Sequence, residues 1–188
     1  MRRALGILAV SVFLGSVLMH PAVAAPAPTP DGAKKVLLTP KQTAKAAGYS
    51  GRITGGKDCT VSPGDFVCYT LLTQSDKSGI FPATTRIIGY NSAEGVAAFF
   101  NGGGTPTYPD GVRTPVQQGA NAQSWYVVYT DPSYRPTGHA MVLLPRGGVV
   151  EAVCGSGTDT PDFGALITCA QKLANAQARK ARTSKAFR

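Results

Sequence analysis

The chain has two histidines, His20 and His139, and His20 falls in an apolar leader. His139 is therefore the one imidazole available for acid–base work near neutral pH. A hydrolase built on it would need a Ser or Cys nucleophile nearby and a carboxylate to orient the ring. Gly155-Ser156-Gly157 lacks the preceding Gly-x of a nucleophile elbow and follows a cysteine expected to be bridged. Most of the ten acidic residues occupy turn contexts, and Glu94 sits in the first turn of an expected helix, where negative charge is simply favourable. Glu151 is different. It interrupts Val149-Val150-Glu151-Ala152-Val153, so it faces either solvent or a cleft, and alternation on an antiparallel strand favours the solvent side. His139 alternates with Met141 and Leu143, the pattern of a core or strand-edge residue rather than a base. The chain thus reads as a non-enzyme, with a secreted hydrolase using His139 as base as the competing reading.

Aromatic spacing points elsewhere. Trp125, Tyr126 and Tyr129 crowd one expected strand, and Tyr108 and Tyr134 lie in adjoining loops. Trp125 and Tyr129 share a face, while Tyr126 occupies the other. If helices cover one side of the sheet, an aromatic set must be accommodated on the opposite side, and a groove walled by tyrosines suits sugars, peptides or lipid tails. The competing arrangement is cross-strand pairing within the core. The candidate ligand contacts are therefore Trp125, Tyr126, Tyr129, Tyr134 and Tyr108. The sequence contains no Walker loop, no G-x-G-x-x-G after a strand, no H-E-x-x-H and no EF-hand. Gly102-Gly103-Gly104 follows an expected helix, so it lacks the helix N-terminus that holds a phosphate. No cofactor and no metal are expected.

The four cysteines are Cys59, Cys68, Cys154 and Cys169, which allow three pairings. Cys59–Cys68 and Cys154–Cys169 are preferred because both close short loops, each contributing about 3 kcal/mol through the unfolded state. Neither spacing is C-x-x-C, which disfavours zinc. Arg2 and Arg3, the uncharged run Ala4 to Met19 and the small-x-small Ala22-Val23-Ala24 make residues 1–24 a signal peptide. The run is short for a membrane span, and no other segment is long and apolar enough to be one. The expected protein is secreted, into a compartment where disulfides persist. Residues 25–36, with alternating prolines, read as a stiff extended tether.

The formal net charge is +9. Lys172, Arg179, Lys180, Arg182, Lys185 and Arg188 lie near the C-terminus with no acid among them, so the basicity concentrates in a tail at 179–188. It reads either as an electrostatic arm toward an anionic surface or as a solvated helix end. Nucleic acid is disfavoured, because the tail lacks interleaved aromatics other than Phe187.

An apolar content of 43% against 15% charged residues excludes a disordered chain or a coiled coil, while 22 Gly and 14 Pro indicate many turns. Thr39-Pro40-Lys41-Gln42 predicts a capped helix ending at Gly48. Strands follow near 51–54, at 66–74 and at 85–90, with turns at 55–58 and 62–65 and a loop over 75–83. Ser92 caps a helix over 93–100, followed by a long Gly/Pro loop over 101–120. Three strands come next, at 124–130, 139–144 and 149–154, the last two joined by a Gly147-Gly148 hairpin. A final helix begins at Thr160-Pro161-Asp162 and carries Phe163, Leu166, Ile167, Ala170, Leu173 and Ala174 on one face. The order α-β-β-β-α-β-β-β-α predicts an α+β fold over 37–178, an antiparallel sheet of five to six strands with helices on one face and two disulfides.

Five features together resemble secreted actinobacterial sensor-type domains, similar to the extracellular part of PknH-like receptor kinases. They are the exported leader, the early helix in Leu37-Leu38-Thr39-Pro40 to Ala44-Lys45-Ala46-Ala47, the junction Tyr90-Asn91-Ser92-Ala93-Glu94-Gly95-Val96-Ala97-Ala98-Phe99-Phe100, the valine-rich strand Gly148–Val153 before a terminal Ala/Leu helix, and the four cysteines. The segment after Ser92 departs from that pattern in lacking a Trp and a Cys. The resemblance implies a ligand-binding cleft over an antiparallel sheet, and with it a non-enzymatic, sensor-like module for an unknown small molecule or envelope polymer. A third reading, an inhibitor of an extracellular enzyme, would present the disulfide-braced segment 55–68.

Overall fold

The computed structural model describes residues 28–90, 112–113, 117–118, 124–130, 135–144 and 146–187. The leader, the expected helix over 93–100, Tyr108 and Tyr134 lie outside the described residues.

Among the described residues, three helices and eight strands run in the order α1 (Pro30–Val36), α2 (Pro40–Ala47), β1 (Ile53–Ser62), β2 (Asp65–Gln74), β3 (Ile80–Tyr90), β4 (Val112–Arg113), β5 (Gln117–Gln118), β6 (Ser124–Thr130), β7 (Thr137–Leu144), β8 (Gly148–Ser156) and α3 (Phe163–Ala181). All pairings are antiparallel, and the sheet order is β1-β2-β3-β8-β7-β6-β4, with β5 also paired to β6. The six long strands form the expected α+β sheet. Part of the expected 101–120 loop is pinned to it by the two-residue strands β4 and β5.

The second helix forms as its sequence dictates. Thr39 Oγ1 accepts from the Gln42 N–H, Gln42 Oε1 accepts from the Thr39 N–H, Pro40 opens the first turn, and Gly48 closes the helix in the left-handed region. α3 is capped by Asp162, whose carboxylate accepts from the Ala165 N–H, rather than by Thr160. Its buried face is Leu166, Cys169, Ala170, Leu173, Ala174, Gln177, Ala178 and Ala181. Phe163 is left 46% exposed, because the helix meets the sheet one turn later. There Gly138 lets the Leu166 backbone approach so closely that a Cβ would come within 2.7 Å of it.

The main core lies between this face and one side of the sheet, and includes Phe66, Cys68, Ile87, Ala140, Val142, Leu144, Val150, Ala152 and Cys154. Both disulfides are the expected ones. Cys59–Cys68 joins directly opposed positions of β1 and β2, and Cys154–Cys169 ties β8 to α3.

Three local expectations are corrected. Residues 30–36 are helical rather than extended. Thr29 caps the helix, Pro30 fits its first turn, and Ala33 and Leu37 are fully buried in the core, so apolar burial overrides the polyproline preference of the prolines. The segment 55–58 is strand, not turn. Gly55 stays in β1 at φ 148°, where a Cβ would come within 1.8 Å of the Leu71 carbonyl oxygen. Lastly, the basic C-terminal segment is no free arm, because residues 179–181 finish α3 and Phe187 is fully buried in the main core. Burying that ring is worth about 2–3 kcal/mol and offsets part of the cost of ordering the segment.

Gln177 clamps the two N-terminal helices onto α3. Its amide donates to the Val36 carbonyl at 2.9 Å, and its Oε1 accepts from the Leu38 N–H at 2.8 Å, with the side chain fully buried. Lys180 Nζ adds bonds to the Leu37 carbonyl and to Gln42 Oε1.

Candidate functional site

Alternation along β3, β7 and β8 sends a second set of side chains to the sheet face turned away from α1, α2 and α3. Ile88, Met141 and Val149 form a small buried apolar cluster there, with Val67 and Leu143 packed against it. Charged and polar groups are set into the same face. Arg86 on β3 and Met141 on β7 are the register partners of Glu151 on β8, so Glu151 sits in the middle strand of three.

Glu151 is 1% exposed, which overturns the expectation that it faces solvent. Alternation does place it off the helix side, but that side of β8 is itself closed over. Its two carboxylate oxygens have different partners. Oε1 lies 3.0 Å from His139 Nδ1, and Oε2 lies 2.9 Å from Arg86 Nε. The Arg86 approach is a close ion pair, yet its N–H is not aligned as a hydrogen bond, and Nε is buried without another partner. On the far side of the imidazole, Nε2 lies 3.0 Å from Thr137 Oγ1. The imidazole thus lies between the Glu151 carboxylate and the Thr137 hydroxyl, and a hydroxyl can donate or accept there as the ring's protonation requires. Burial pushes the Glu151 carboxyl up, but the His139 hydrogen bond and the charges of Arg86 and His139 outweigh it and hold the group below the usual carboxylate range.

The chain Thr137–His139–Glu151–Arg86 therefore crosses β7, β8 and β3 in spatial order. Burial is deepest at its centre, and Thr137 at one end is half-buried. The His139 side chain is 6% exposed, that of Glu151 1%, and that of Arg86 28%. Since Nε is shut off from solvent, the exposure of Arg86 belongs to the rest of its side chain. Beyond it, Tyr69 on β2 is its register partner and is half-buried, and Thr60 on β1 is exposed. Thr60, Val67, Tyr69, Thr84 and Arg86 line an open cavity of about 410 Å³.

Sequence reasoning placed neither Arg86 nor Thr137 in a site. The signal for Arg86 was available, since a lone arginine inside Thr85-Arg86-Ile87-Ile88 mirrors the lone glutamate inside the β8 valine run. Among the expected aromatic contacts, Trp125, Tyr126 and Tyr129 are on β6, paired in register with Met141, Ala140 and Thr137 of β7. Tyr129 is thus the register partner of the residue that begins the polar chain. Among the described residues there is no group of three or more His, Cys, Asp or Glu able to hold a metal, and no helix long and apolar enough to cross a membrane.

No family model matches this chain, and no curated protein matches it in sequence. Its fold is similar to that in the crystal structure of the extracellular domain of PknH from Mycobacterium tuberculosis, with a TM-score of 0.57 and 11% identity, over 85% of this chain and 100% of that one. What the two share is the fold, the one implied by the resemblance drawn from the sequence.

Proposed function

We propose that this chain is an extracellular, non-enzymatic binding module of sensor-like kind, which recognises a small molecule or polymer of the envelope on the sheet face turned away from α1, α2 and α3. The observation that carries the reading is the polar chain that runs from half-buried Thr137 and buried His139 through Glu151 to a half-open Arg86 beside a cavity. Three side chains in series stand behind one guanidinium, and preorganised polar groups at a concave site are what ligand recognition uses. The likeness to an extracellular sensor domain and the two disulfides support the location and the class. Trp125 and Tyr129, at the β6 positions in register with Met141 and Thr137, are proposed as further ligand contacts. Arg179, Arg182 and Lys185, all exposed at the end of the chain, are proposed to hold the module near anionic surfaces.

Native mass spectrometry of protein recovered from culture supernatant, or incubated with envelope extract, tests this. A non-covalent adduct of one defined mass is expected. Protein that carries none under either condition overturns the reading.

One observation favours a second reading. Thr137, His139 and Glu151 have the connectivity of a nucleophile, base and acid, and a secreted hydrolase would use them in those roles. It stands second because His139 is only 5% exposed and Glu151 spends its other oxygen on Arg86. In that case His139→Ala and Thr137→Ala should each abolish an activity found by ester and amide screening. Activity that survives both substitutions removes the idea.

A further inference from the structure

We infer that the cavity beside Arg86 recognises an oxyanion, a carboxylate or phosphate monoester carried on an apolar or aromatic skeleton, with the Arg86 guanidinium as its fixed donor. The inference rests on reading this face as the ligand surface.

A guanidinium offers five N–H donors in a planar fork that matches two oxygens of a carboxylate or phosphate. Glu151 could have answered that fork with both of its oxygens, but Oε1 is taken by His139. Only Oε2 reaches Arg86, and it meets Nε alone. The terminal nitrogens, with four of the five donors, have no protein acceptor among the described residues. The Glu151 contact therefore orients the guanidinium without saturating it.

The lining of the cavity agrees. It contains no carboxylate. Tyr69 and Val67 supply an apolar wall, and the Thr60 hydroxyl a further polar group. The Thr84 hydroxyl is already donating to the Thr70 carbonyl at 3.2 Å. Because Glu151 balances the arginine's charge, selection rests on paired hydrogen bonds more than on long-range attraction. A planar two-oxygen acceptor with a ring or chain behind it fits those terms.

Benzoate, phenyl phosphate and benzamide share a ring and differ in the group offered to the fork. Titrations followed by nitrogen–proton NMR, including the Arg86 Nε–H signal, should show benzoate, phenyl phosphate or both shifting Arg86, Thr60, Tyr69 and Thr84. The two anions separate carboxylate from phosphate recognition. Benzamide should bind about tenfold more weakly or worse, the loss of one charge-assisted pair. Arg86→Lys keeps the charge and removes the fork, and should weaken the anion about tenfold while leaving benzamide unchanged. Thr60→Asp, on an exposed strand position, should do the same by repulsion without touching the buried chain. Benzamide binding as tightly as the anions, or anion binding unaffected by both substitutions, overturns the inference while leaving the face as the ligand surface. If none of the three probes shifts these residues the inference also falls, and the wider reading is then judged on the envelope adduct and whether it moves signals of β3, β8 and β7.

Discussion

Glu151→Gln is the sharpest perturbation of the buried chain. The carboxylate meets His139 Nδ1 at 3.0 Å and Arg86 Nε at 2.9 Å, with 1% exposure. Breaking one partner of a buried ion pair typically costs about 3–5 kcal/mol. Arg86 keeps 28% of its side-chain exposure and regains some hydration when its partner is neutralised, so the expected cost here falls to about 2–4 kcal/mol. Urea unfolding of the oxidised protein, followed by circular dichroism at pH 7, measures it. The pH dependence has a definite sign. The Glu151 carboxyl is held below its ordinary range in the folded state, so its contribution is complete above the unfolded carboxylate pKa and is lost as pH falls through the lowered folded value. The gap between wild type and Glu151→Gln should therefore be full at neutral pH and close as the solution is acidified below about 4. Adding Arg86→Met to Glu151→Leu should recover much of the loss, because an apolar pair of similar volume avoids the desolvation cost. A gap under about 1 kcal/mol at pH 7, or one that does not close in acid, would refute the assignment of Glu151 as a buried, ionised and paired carboxylate.

Phe187→Ala should destabilise the fold by about 3–5 kcal/mol in the same assay, since the ring is fully buried; a loss below about 1 kcal/mol would mean that the C-terminal segment does not dock in solution. Gln177→Leu strands the Leu38 N–H and the Val36 carbonyl and should cost about 2–4 kcal/mol. Amide hydrogen exchange should then show Leu38 losing protection, and unchanged exchange there would count against the clamp.

Much of the framework was legible because local chemistry and tertiary structure agree. Thr39, Pro40, Gln42 and Gly48 specify α2 with little outside help, and the paired cysteines were found from loop length. The errors arose where distant contacts decide. Nothing near Pro30 reveals that Ala33 and Leu37 will meet α3 and the sheet, and nothing near Gly55 reveals that β2 will run alongside it. Phe187 looked like the end of a charged tail because its partners, such as the residues around Gly148, lie far away in sequence. The polar chain was half visible. Glu151 stood out as a break in an apolar strand, but its partners are 65 residues upstream and 12 residues upstream, and single-strand alternation cannot tell a solvated face from a second buried one.

The two faces of this sheet differ in kind. On the helix side, apolar burial, the Cys154–Cys169 bridge, the Gln177 clamp and the docked Phe187 all act to hold the fold. On the other side, ionised groups occupy positions where apolar residues of similar size would hold the sheet as well or better. The local pattern is broken in two strands at register-matched positions, Arg86 and Glu151, and the break is completed by a buried histidine 3.0 Å from the glutamate. Departures from patterning that cluster in this way mark functional positions more often than structural ones. Stability alone does not account for them, whereas holding an arginine fork at the edge of a cavity does.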